Sequence, residues 1–259
     1  MSQVLRLFVL VAVSSLMVPL FSLTELSTVD QRVRSQSLDL PSEAPLVILM
    51  KSERGTTRQQ YTLRRTNGSD GTYTVEASNA EVSLLQRFHR DGTLISALET
   101  TSQGKRFQQS VDEARNLVQT VVSINGKAQS ERTSSLGPGF ALQTEISNVV
   151  YQAWKAGIRD GLLLKSLSPD GGLVGDFQIV FLETDNPLAL STKYDYPEEF
   201  RKAVPVGNYV VADMSLVGFA AFFFPHHFYL AYTKGPKGLE FVAYYGENPK
   251  TAMYQFTPR

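Results

Sequence analysis

Residues 60–100 read QYTLRRTNGSDGTYTVEASNAEVSLLQRFHRDGTLISALET, and this stretch decides the fold. Within it, TYTVEAS (72–78) alternates so that Tyr73 and Val75 share one face while polar residues take the other. A period of two marks a strand with one wet face, as in antiparallel sheets. The breaks between alternating runs are Asn67-Gly68, Asp70-Gly71 and Asp91-Gly92, dipeptides that supply the positive φ angles of tight hairpin turns. Working outward, Asn125-Gly126 supplies another such break, and RFQQSVDE (106–113) sets Phe107 away from its polar neighbours. Pro45 to Ser135 is therefore expected to form a β-meander of about six strands.

The pattern changes between Thr144 and Ile158. Ile146, Val149, Val150, Ala153, Trp154 and Ile158 recur at intervals of three and four, which predicts an amphipathic helix with Thr144 as N-cap and Gly161 as stop. One apolar stripe implies that this helix covers the sheet. Trp154, the only tryptophan, reads first as a core anchor and otherwise as a ligand-stacking residue.

Beyond it, Leu162–Leu167 and Leu173–Leu182 read as strands flanking the turn Ser168-Pro169-Asp170-Gly171-Gly172. PEEF (197–200) opens a short second helix, with proline and two carboxylates in its first turn. Three or four further strands are expected between Tyr209 and Phe256. The fold class is mainly β (α+β): a long antiparallel meander forming a curved sheet or half-barrel, one covering amphipathic helix and a short second helix.

The N-terminus has its own logic. Leu7 to Phe21 is apolar or small-sided behind Arg6, and it is shorter than the roughly 20 residues that span a bilayer. It reads as a signal peptide over residues 1–22, cleaved between Phe21 and Leu26, with an uncleaved anchor as the alternative. Residues 23–44 then form a polar linker and 45–259 a single β-rich domain. The protein is expected to be exported, periplasmic or envelope-associated. It is not a lipoprotein, because the chain contains no cysteine to acylate. The same absence removes disulfide partners, thiolate zinc sites and thiol nucleophiles.

Lys plus Arg (25) balances Asp plus Glu (25), so no basic surplus exists to bind nucleic acid. Catalytic signatures are missing: no G-x-S-x-G elbow occurs, and neither GPG (137–139) nor DGG (170–172) has the spacing of a phosphate loop. Of the three histidines, His226 and His227 are adjacent, and neighbours in a strand face opposite ways, so they cannot share a metal there. The carboxylate pairs Asp112–Glu113 and Glu198–Glu199 are explained by solvated faces and a helix start. The reading is non-enzymatic and without cofactor, with a site assembled from distant residues as the remaining enzymatic alternative.

The densest aromatic stretch is LVGFAAFFFPHHFYLAY (216–232). It reads as buried strands around a proline turn, or as the lining of an apolar cavity, since a curved sheet has more concave surface than one helix fills. On the second reading Phe222, Phe224, Phe228 and Tyr232, together with Trp154, are the candidate ligand-binding residues. The element order, ending in PHHFYLAYTKGPKGLEFVAYYGENPKTAMYQF (225–256), resembles uncharacterised envelope domains related to the LolA and LolB lipoprotein carriers. In that family an incomplete barrel wraps a helix-covered apolar cavity. The resemblance implies a half-barrel that binds a lipid or acyl chain; the alternative is an envelope module whose sheet edge or aromatic patch docks another protein.

Overall fold

A computed structural model describes residues 31–39, 42–52, 55–137, 139–167, 174–191, 196–218, 221, 226–236, 238–246 and 251–255. The stretch read as a signal peptide lies outside these residues, as do Phe222 and Phe224.

Fifteen strands form one sheet. The first eight are β1 (Glu43–Ser52), β2 (Gly55–Asn67), β3 (Thr72–Ser78), β4 (Val82–His89), β5 (Leu94–Thr101), β6 (Lys105–Asp112), β7 (Leu117–Ile124) and β8 (Lys127–Ser135). The meander thus has eight strands rather than about six. Two strands carry little alternation to announce them: β1 is a continuous apolar run at its centre, and β8 is exposed along nearly its whole length. Three of the four expected turn dipeptides are in place, with φ of 77°, 81° and 76° at Gly71, Gly92 and Gly126. Asn67-Gly68 takes no positive φ, because Asn67 still belongs to β2, paired with Tyr73, and the turn is made at Gly71. Two turns use the same chemistry. Asp70 and Asp91 each accept from the amide and hydroxyl of the threonine two residues on, Thr72 and Thr93.

After β8 come β9 (Phe140–Leu142), a 3-10 turn (Gln143–Glu145) and a ten-residue helix, Ile146–Lys155. We call this helix α2, and the single helical turn Gln31–Arg34 α1. Strands β10 (Leu162–Leu167) and β11 (Val174–Thr184) follow, then the short helix α3 (Glu198–Ala203). Four strands complete the chain: β12 (Tyr209–Leu216), β13 (His227–Gly235), β14 (Gly238–Gly246) and β15 (Thr251–Gln255).

The spatial order is β8-β7-β6-β5-β4-β3-β2-β1-β15-β14-β13-β12-β11-β10-β9. Strands β8 and β9, neighbours in sequence, therefore sit at opposite edges. Fifteen strands laid flat would hold those edges about 67 Å apart at 4.8 Å per strand. The chain from Ser135 to Phe140 can span at most about 19 Å. Only strong curvature reconciles the two, so the sheet curls into a half-barrel whose edges converge where β8 leads into β9.

This curvature explains why α2 is buried on nearly every side. Its expected stripe is there, with Ile146, Val149, Val150 and Ala153 in the interior, but Asn148, Tyr151 and Gln152 on the opposite side are buried too. The interior cluster joins α2 to Tyr73, Phe88, Leu94 and Val118 from the first half of the sheet and to Leu162, Ile179, Val210 and Leu230 from the second. Of the stretch read as a linker, residues 31–39 pack over α2, with Val33 and Leu38 in the same core.

The helix ends differ from expectation. Thr144 lies in the 3-10 turn, and α2 begins at Ile146 with no side-chain cap. Glu145 instead reaches back to accept from the amide of Leu142 at 3.2 Å. The stop is Gly157, not Gly161: with φ of 85° it donates to Trp154 O, and Ile158 N donates to Ala153 O, both at 3.0 Å. That is the Schellman arrangement, with Ile158 packed into the core behind it.

The convex face carries a second cluster. Val47, Leu49, Tyr209, Val211, Tyr229, Ala231, Ala243 and Tyr245 project outward from the central strands and are covered by Phe200 and Val204 at α3.

Candidate functional site

Directly opposed residues in antiparallel strands project to the same face, so the registers define rows running across the sheet. Tyr73 and Phe88 pack beneath α2 and identify the concave face of β3 and β4. Two turns of the pleat away on that face, one row runs Leu63–Ala77–Leu84–Glu99–Phe107–Val122 through β2 to β7. Leu63, Leu84, Phe107 and Val122 are only half-buried. The helix fills one end of the half-barrel and leaves this row, apolar except for the exposed Glu99 between Leu84 and Phe107, at the other.

Between the helix and the row lies a polar band, Gln86–Ala97–Gln109–Thr120. Gln109 and Thr120 are buried and hydrogen-bonded to each other at 3.4 Å. At the outer side of the row, Glu99, Thr101, Lys105 and Phe107 wall a cleft of about 130 Å³. A drug-sized ligand site is usually 300–1,000 Å³. The cleft is well below that range and lies beside the row at Glu99 and Phe107.

The residues singled out in the sequence lie elsewhere. Phe228, Leu230 and Tyr232 alternate onto the concave face, whereas His227, Tyr229 and Ala231 face outward. Tyr232 is buried, with its ring edge-on to Phe241 at 5.9 Å, and Phe228 stacks on Tyr244 at 6.4 Å. The Tyr232 hydroxyl has no hydrogen-bond partner among the described residues, and burial pushes its pKa strongly up. Trp154 is half-buried, edge-on to Phe181 at 5.4 Å, with the Arg159 guanidinium 3.6 Å over its ring. These three residues belong to the core around α2, and Phe241, the ring partner of Tyr232, also packs in the cluster that holds Leu63 and Leu84.

On the convex face His227 Nδ1 and Asp213 Oδ1 are 2.7 Å apart. His226 does not join them, and among the described residues no three His, Cys, Asp or Glu side chains gather as a metal site. No described helix is long and apolar enough to cross a membrane.

The row was hidden from sequence reading for a definite reason. Leu84 and Phe107 each obey local alternation, but the row depends on registers set by five hairpins and a bulge between Arg87 and Phe88. No protein family matches this chain, and neither does any curated protein or solved structure. The sheet is a half-barrel, and nothing in the comparisons ties the chain to the LolA and LolB carriers.

Proposed function

We propose that this is a non-enzymatic protein of the cell envelope, exported by its N-terminal apolar segment, that binds a lipid or acyl chain along the concave face of its half-barrel. One observation carries the reading: α2 covers only part of the concave face, leaving Leu63, Leu84, Phe107 and Val122 as a half-buried row on a curved surface. Full burial of a methylene is worth about 0.8 kcal/mol, and a half-open groove should return roughly half of that per added methylene.

The experiment is a displacement titration with saturated fatty acids of increasing length, on the wild type and on Leu84→Asp. Affinity should climb with length until the row is covered, and Leu84→Asp should abolish the climb. A flat length dependence would refute the reading, as would purification from the envelope with no apolar molecule detected by native mass spectrometry.

A second reading rests on β8, which forms one edge of the sheet and is exposed along nearly its whole length. Such an edge can accept a strand from another protein. It is favoured over the first if β8 amides become protected from hydrogen exchange in the envelope and the row does not bind chains.

A further inference from the structure

The cleft at the outer side of the row carries two opposite charges. Glu99 and Lys105 project from adjacent strands onto the concave face, one diagonal step apart, a separation of roughly 7–8 Å between side-chain origins. Among the described residues neither side chain forms an ion pair, and the Glu99 charge adds to burial in raising the pKa of the Tyr61 hydroxyl. Both are solvent-exposed: Glu99 sits between Leu84 and Phe107, and Lys105 opposite Ile124. Thr101 completes the wall. Its hydroxyl oxygen accepts from the Lys105 amide at 3.2 Å, which leaves its O–H free to donate.

We infer that this cleft recognises a zwitterionic head group, of the phosphoethanolamine class, on the amphiphile whose chain lies along the row. The inference rests on the proposed function above. The ligand's ammonium would sit against the Glu99 carboxylate and over the face of Phe107, where the ring quadrupole favours a cation. Its phosphate would take the Lys105 ammonium and the Thr101 hydroxyl. A singly charged head satisfies one of the two charges and brings its own charge near the like-signed other.

The test compares three single-chain amphiphiles of equal tail length, bearing phosphoethanolamine, phosphoglycerol or trimethylammonium heads, with phosphoethanolamine that has no tail. The zwitterionic amphiphile should bind about fivefold more tightly than either singly charged one, the scale of one partly exposed ion pair. Glu99→Gln should erase its advantage over the anionic amphiphile, and Lys105→Gln its advantage over the cationic one. Equal affinity for all three heads, with tail-length dependence intact, overturns this inference and leaves the chain-binding reading standing. Binding by none of the amphiphiles removes both. Tail-less phosphoethanolamine binding as tightly as the amphiphile would also overturn it, because the ligand would then be a free zwitterion.

Discussion

Glu145, at the entrance to α2, accepts a hydrogen bond from the backbone amide of Leu94, 51 residues away at the start of β5, at 2.5 Å. The same carboxylate takes the Leu142 amide and the Arg34 guanidinium at 3.2 and 3.1 Å, with both charged side chains nearly buried. One side chain thus ties the helix start, the first half of the sheet and the N-terminal segment together. Glu145→Ala would leave two amides and a buried guanidinium without their acceptor, a change that costs about 3–5 kcal/mol. Adding Arg34→Met should recover part of that loss, since no uncompensated charge then remains. Urea unfolding of the two single variants and the double variant checks both statements.

The two glycines after α2 should respond differently to alanine. Gly157 has φ of 85° and open space where a Cβ would stand, so Gly157→Ala carries only left-handed strain, about 1 kcal/mol. Gly161 has φ of 132°, and a Cβ there would come within 2.7 Å of the Ile179 carbonyl oxygen. That contact is with backbone and cannot rotate away, so Gly161→Ala should cost about 3 kcal/mol. Equal losses in thermal unfolding would contradict this division of roles, in which Gly157 ends the helix and Gly161 lets β10 lie close to β11.

Much of this was legible in local sequence. Asp70-Gly71, Asp91-Gly92 and Asn125-Gly126 form the turns their chemistry demands, and Leu162–Leu167 is a strand over the range its pattern gives. What a period of three to four cannot show is a helix wrapped on all sides. Asn148 and Gln152 are polar residues opposite the apolar stripe, yet both are buried. Their burial follows from closure of the sheet and from the packing of residues 31–39, contacts between segments more than 50 residues apart. The row through Leu84 and Phe107 escaped for the same reason, because it exists only once five hairpin registers are fixed.

Alkaline unfolding should report on Tyr73. It is buried beneath α2, stacked on Phe88 at 5.0 Å, and its hydroxyl accepts from Asn148 at 3.1 Å. Burial pushes its pKa up to about 12, against 10.0 in the ordinary case. The neutral form is therefore favoured by the fold. Its contribution is complete below pH 10 and is lost as pH rises toward 12, because the unfolded chain releases the proton first. The loss is at most about 2–3 kcal/mol for a shift of this size. Tyr73→Phe should flatten the fall in stability between pH 10 and 12; an unchanged slope would assign that fall to other tyrosines.

Gln152 offers the sharpest test of how α2 is held. Its side chain is fully buried, and its amide nitrogen faces three backbone carbonyls, those of Asp91, Gln36 and Arg34, at 2.8, 3.0 and 3.3 Å. The group must donate, because everything on that side accepts. Gln152→Glu keeps the shape but sets a carboxylate against three carbonyl oxygens, so it should cost more than the about 1–3 kcal/mol of an unsatisfied neutral group. Protonation restores one donor, and burial against three carbonyls raises the carboxyl's folded-state pKa. The variant should therefore regain stability as pH falls from that raised value to the ordinary carboxylate range, while the wild type does not. Gln152→Leu removes the donor without adding charge and should fall between the two, with no such pH dependence. A Gln152→Glu variant as stable as wild type at pH 7 would mean that residues 31–39 do not rest on α2 in solution.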